Sequence, residues 1–258
     1  MTTWASRRKF TYASTVIVAL IIFITVPIFV FFYKSPTCFD NKLNGDEIGI
    51  DCGGSCSRLC QSAFLPPRQE WGGAKIEKLA EGLYNVAAYI VNPNINGGAI
   101  LVPYKISLYD SEGFPITERS GKINLYAHRN SLAFQPAVDT DGHVPVKAIF
   151  EFTSSPDWFK SSDELGGLVV VDKKYEESAN ESSLEIILEN RTLYTYKDVK
   201  VGVVLYDVEG NTIGFSQTVV DEIPPKGKET ASFTWSINRD GKVTTIEVLP
   251  SVKPVTVK

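Results

Sequence analysis

Val102-Pro103-Tyr104-Lys105-Ile106-Ser107-Leu108 runs into Tyr109-Asp110-Ser111-Glu112-Gly113, and 97 residues later Val199-Lys200-Val201-Gly202-Val203-Val204-Leu205 runs into Tyr206-Asp207-Val208-Glu209-Gly210. In both stretches an apolar residue recurs at every second position. Successive side chains of a strand point to opposite faces, so Val102, Tyr104, Ile106 and Leu108 share one buried face, as do Val199, Val201, Val203 and Leu205. The D-x-E-G that follows each run supplies the turn into the next strand.

The same pattern extends outward. Val86, Ala88 and Ile90 lead to Asn92-Pro93-Asn94, and Leu184, Ile186 and Leu188 lead to Asn190-Arg191-Thr192. Pro224-Pro225-Lys226-Gly227 separates Thr218-Val219-Val220 from Ala231-Ser232-Phe233. Short strands divided by turn residues, with no long amphipathic helix, predict an all-β fold of two tandem immunoglobulin- or fibronectin-like β-sandwiches, at 65–160 and 161–258. Neither contains cysteine, so an inter-sheet disulfide is excluded and apolar packing must hold each together.

Ahead of them, Thr11 to Tyr33 carries no charge and is dense in Ile, Val and Phe. A helix of that length, about 34 Å, crosses a hydrocarbon core of about 30 Å. The reading is a transmembrane helix at 11–33 after a cytoplasmic tail at 1–10. Arg7, Arg8 and Lys9 precede the span and only Lys34 closely follows it, which keeps the amino end cytoplasmic and puts the carboxyl-terminal domains outside. A cleaved signal peptide is the competing reading, but the run is long and ends Phe29-Val30-Phe31-Phe32-Tyr33-Lys34-Ser35-Pro36 without a small-x-small site. The net charge is −4, and with three basic residues set before the span the rest is more acidic still, which argues against a nucleic-acid partner.

All four cysteines, Cys38, Cys52, Cys56 and Cys60, fall in a module predicted at 34–64. Their spacing does not show the paired C-x2-4-C of structural zinc sites, and outside the cytoplasm disulfides are expected instead, with all three pairings open. Asp40, Asn44, Asp46 and Asp51 surround glycines between the first two cysteines and are the candidate ligands for Ca2+, the one cofactor considered. The competing reading makes them turn formers, because Asp, Asn and Gly dominate turns for backbone reasons alone.

Cys38 to Cys60 resembles the repeat C-x-D-x-x-x-N-G-D-E-x-G-x-D-C-G-G-x-C of many secreted and surface-anchored bacterial and animal proteins. The L-Y-D-x-E-G strands resemble the FxLYD group of extracytoplasmic immunoglobulin-like domains, with Ile106 and Val203 where the pattern has Phe. Anchor, cysteine-rich repeat and two sandwiches together are similar to membrane proteins of small-genome uncultured bacteria. The resemblance implies an extracytoplasmic sandwich and brings no catalytic residues.

Chemistry is sparse. His128 and His143 are the two histidines, with no G-x-S-x-G for either to serve. Asp139-Thr140-Asp141-Gly142 and Asn238-Arg239-Asp240-Gly241 read as hairpin turns. Trp158-Phe159, in the polar stretch between the sandwiches, reads either as an exposed pair that binds a partner or a sugar, or as a plug in the interface between neighbouring modules. Asn180-Glu181-Ser182 and Asn190-Arg191-Thr192 fit the N-glycosylation sequon. The function expected is a non-enzymatic, single-pass membrane-anchored binding or scaffold protein for a protein or envelope polymer. The alternatives are an envelope glycan-acting enzyme or its accessory, and a subunit of a larger membrane assembly.

Overall fold

In the computed structural model, residues 4–32, 37–160, 165, 167–178, 181–236 and 241–252 are described. Tyr33 to Pro36, Asn180 and Asn238 to Asp240, all named above, lie outside them. The chain divides into two compact units, Met1–Cys56 and Ser57–Lys258.

The first unit holds helix α1 (Trp4–Phe32), which starts earlier than 11 and takes in the basic residues. From Arg8 to Ile28 it is long and apolar enough to cross a bilayer. Ser14 and Thr15 donate their hydroxyls to the Thr11 carbonyl and Thr25 donates to Ile21, so these side chains need no water. Beyond it Cys38 is bonded to Cys56, and Cys52 and Cys60 are disulfide-bonded as well.

The second unit is all β. Its strands are β1 (Arg68–Gln69), β2 (Lys75–Ala80), β3 (Leu83–Val91), β4 (Gly97–Tyr109), β5 (Pro115–Leu125), β6 (Asn130–Asp139), β7 (Lys147–Phe152), β8 (Phe159–Lys160), β9 (Leu168–Glu177), β10 (Glu181–Asn190), β11 (Tyr196–Tyr206), β12 (Thr212–Ile223), β13 (Lys228–Ser236) and β14 (Thr245–Ser251). All pair antiparallel. In the first sandwich β3 lies between β2 and β6, and β4 between β5 and β7, with β1 added to β3 and β8 to β4. The second repeats that order, with β10 between β9 and β13 and β11 between β12 and β14. A strand held between its neighbours in each of two facing sheets is the immunoglobulin- and fibronectin-like arrangement.

The period-two faces pack as predicted. Val102, Tyr104, Ile106 and Leu108 meet Val86, Ala88, Ile90 and Phe150 in one core, and Val199, Val201, Val203 and Leu205 meet Leu184, Ile186, Leu188 and Phe233 in another. A third core was not foreseen: Ala87, Tyr89, Leu132, Val204, Phe215 and Leu249 are buried together, with Trp71, Phe134 and Tyr206 packed against them. Both faces of β3 and of β11 are therefore covered. The sheet of β2, β3 and β6 lies on the sheet of β11, β12 and β14, and the sandwiches stack as four layers. Gly202 sits in this contact, where an added Cβ would come within 3.2 Å of Leu132, so even alanine would require the Leu132 side chain to shift by a few tenths of an ångström.

The turns show why Y-D-x-E-G recurs. Asp110 Oδ1 accepts the N–H groups of Glu112 and Phe114, and Asp207 Oδ1 those of Glu209 and Asn211. Gly113 and Gly210 follow at φ 87° and 81°, a conformation costly for other residues. Hydrogen bonds from Asn211 hold the Asp207 carboxyl below the usual carboxylate range. The sign is then fixed: Asp207 contributes fully above the unfolded value of about 4 and loses its contribution as pH falls through its folded pKa. Asp207→Ala is expected to flatten the acid limb of the stability–pH curve without altering its slope above pH ~6. Parallel curves for the two proteins down to about pH 2 would count against this.

Trp158 corrects the exposed reading of its pair. It is 3% exposed, inside the first sandwich's own core, and stacks on Phe64 at 5.6 Å between centroids. Leu59 N–H donates to the Trp158 carbonyl and Arg58 pairs with Asp157 at 2.9 Å, so the segment after Ser57 is fastened to the first sandwich. The Asp139–Gly142 turn is a second correction: it joins β6 and β7, which belong to opposite sheets, and is not a hairpin. A D-G turn fixes local φ and ψ but not which sheet the next strand enters.

Candidate functional site

The join between the sandwiches gathers a polar network around one carboxylate. Glu247 of β14 accepts hydrogen bonds from Tyr89 of β3 (2.7 Å), Tyr206 of β11 (2.9 Å) and the Asn130 amide of β6 (3.3 Å). Asn130 also donates to the Tyr89 hydroxyl. Burial, and then the adjacent Glu247 carboxylate, push both tyrosines well above the ordinary tyrosine range, so they remain donors at any physiological pH. The Trp71 ring covers Tyr89 at 5.3 Å and Phe215 at 6.1 Å. A carboxylate from one sandwich is thus bound by donors from both, which fixes their relative orientation.

Farther along the same join Tyr126 of the first sandwich donates to the Val252 carbonyl (2.8 Å) and accepts the Val252 N–H (2.9 Å). Asn124 donates to the same carbonyl at 2.9 Å. Between these polar contacts and the third core the layers part, leaving a cleft of about 330 Å³. Lys122, Asn124, Leu101 and Phe134 form one wall, and Lys200, Gln217, Val219 and Leu249 the other. Its volume falls at the lower end of the range of small-molecule clefts, with a mixed apolar and polar lining. Leu101 and Val219 are 51% and 50% exposed.

Leu101 and Asp198, one on each side of this cleft, both have φ 51°. They stand 97 residues apart, at corresponding steps of the two sandwiches. Such a conformation costs a leucine about 1–3 kcal/mol and is retained where surrounding structure imposes it, commonly at functional surfaces.

The cysteine module does not make a thiolate site. Cys38 Sγ, Glu47 and Cys56 Sγ lie close together, but the two sulfurs are bonded to each other. Of the candidate calcium ligands, Asp51 accepts the N–H groups of Asp40 and Asn41, one on each oxygen, at 2.9 Å. Asp40 accepts the Lys42 N–H and the Asn44 amide, and Asp46 accepts the Ser55 hydroxyl. Asp40, Asn44 and Asp51 are brought into one network, and Asn44 Oδ1 is buried in it without a hydrogen-bond partner. Because most of these oxygens already close the loop on itself, chelation of Ca2+ is expected to leave amide exchange across 38–56 unchanged. A chelator-dependent loss of protection there would establish a structural ion.

The remaining candidates separate cleanly. His128 and His143 are exposed and lie in turns, where His128 N–H donates to the Asn94 carbonyl and His143 N–H to Thr140. Asn190 is 0% exposed and its amide nitrogen donates to the carbonyls of Tyr194, Ile223 and Pro224, so this sequon asparagine is structural and closed to glycosylation. Asn92, 2% exposed, holds the corresponding position in the first sandwich and donates to Gly97 and Tyr126.

No protein-family model and no curated protein matches the chain. Among solved structures it is similar to red sea bream transglutaminase, with a TM-score of 0.24, 10% identity and coverage of 74% of this chain and 29% of that one. It is also similar to a Bacteroides fragilis protein assigned as a beta-galactosidase, with a TM-score of 0.21, 13% identity and coverage of 68% and 33%. The chain spans about a third of the length of either.

Proposed function

We propose that the chain is a single-pass, membrane-anchored binding or scaffold protein. Its amino end is cytoplasmic, and its fused sandwiches stand outside the cytoplasm and hold a protein or envelope-polymer partner without catalysis. The third core carries the reading. It makes one rigid body of two sandwiches, and a rigid body with a cleft along its join presents a preformed surface whose partner need not order it. The anchor rests on the uncharged run of α1 with Arg7, Arg8 and Lys9 ahead of it, and the compartment on the disulfides, which persist in oxidising surroundings.

The test uses the full chain in lipid nanodiscs, titrated against purified envelope glycans and against proteins cross-linked to it in cells. Saturable binding weakened about tenfold by Val219→Glu with Lys200→Glu, roughly 1.4 kcal/mol, supports the cleft as the contact. Turnover of a glycan abolished by Glu247→Gln replaces the binding reading with an enzymatic one. A carboxyl-terminal tag shielded from external protease in intact cells sinks the topology.

A further inference from the structure

The loop closed by Cys38 and Cys56 is built inside out. Its interior is polar: Asp51, 7% exposed, takes the N–H groups of Asp40 and Asn41, and Asp40 takes the Asn44 amide. Its four aliphatic and aromatic side chains face outward, with Phe39 81%, Leu43 63%, Ile48 76% and Ile50 59% exposed. Single exposed apolar residues are ordinary, but a loop that exposes every one it has while burying a carboxylate is not.

The loop cannot easily turn these side chains in. Gly53 and Gly54 have φ 78° and 56°, and a Cβ on Gly54 would lie 2.0 Å from the Asp46 carbonyl oxygen. With the disulfides this fixes the outward set. Phe39 follows Phe32, the last residue of α1, by only seven positions, so the connecting chain reaches at most about 25 Å. Tethering of that kind keeps the loop at high effective concentration beside whatever surface α1 enters.

We infer that Phe39, Leu43, Ile48 and Ile50 seat this loop in the interfacial layer of the lipid leaflet on the non-cytoplasmic side. The chain then has a second, disulfide-braced membrane contact beside its helix; this rests on the reading of α1 as a span. Asp40, Asp46, Glu47 and Asp51 against Lys42 alone leave the loop acidic, so the lipid is zwitterionic, because an anionic surface repels it.

The experiment places a single 4-fluorophenylalanine at Phe39, Phe23 or Phe114 of the full chain in phosphatidylcholine nanodiscs and reads fluorine resonances with and without nitroxide-bearing lipid. Expected is loss of the signal at 39 and 23 and its retention at Phe114, which is 62% exposed in the turn between β4 and β5. Loss at 23 with retention at 39 overturns the inference and leaves the span intact, as does an apolar loop covered by another protein. Retention at both removes span and inference together. Ile48→Ser with Ile50→Ser, at exposed positions that the fold tolerates, is expected to restore the signal at 39, as is admixture of phosphatidylglycerol. Undiminished loss in that variant also overturns the assignment.

Discussion

Asn190→Ala is expected to lower the melting midpoint of the chain by about 10 °C, the larger of the two polar-deletion effects the structure offers. The Asn190 amide nitrogen donates to three carbonyls at 2.8 to 3.1 Å, and Oδ1 accepts the Thr192 N–H at 2.9 Å and its hydroxyl at 2.6 Å. The side chain ties the end of β10 to the end of β12. Alanine deletes these bonds at about 1 kcal/mol each and takes this partner from the buried Ile223 carbonyl, together about 3–4 kcal/mol. In a body of this size each kcal/mol moves the midpoint by roughly 2–4 °C. Calorimetry on Asn92→Ala, with fewer such bonds, should show a smaller drop. An unshifted midpoint for Asn190→Ala would mean that the network carries no weight.

The second large effect is at the join. Phe215 is 4% exposed and packs against Trp71 and, edge-on at 6.3 Å, against Phe134. Phe215→Ala removes a buried ring from the contact between the two sandwiches and is expected to cost about 3–5 kcal/mol. Because it weakens the third core and spares the other two, a single calorimetric transition should become two. One transition at the parental midpoint would show that the sandwiches do not depend on each other.

The strands were legible in the sequence because burial on one face writes itself as period two, as Val102 to Leu108 and Val199 to Leu205 demonstrate. The third core was hidden by the same rule, which assigns the alternate residues to solvent. Its signal is present in Val86-Ala87-Ala88-Tyr89-Ile90-Val91, where the run is apolar at every step, as a strand covered on both faces requires. The burial of Trp158 was not legible because the stretch around it is polar, while its partner Phe64 lies 94 residues away, a contact no local pattern encodes. The bond between Cys38 and Cys56 and the Glu247 network are likewise meetings of distant residues. The cleft depends on the gap between two sheets that only packing defines.

Because β3 and β11 lack a wet side, neither sandwich is a free-standing bead on a string. Severing the chain between Lys160 and Gly167 would lay bare two sticky sheets, one carrying Ala87, Tyr89 and Leu132 and the other Val204, Phe215 and Leu249. Halves made separately should therefore cling to each other or precipitate, and the body is inherited, folded and cleared by the cell as an indivisible piece.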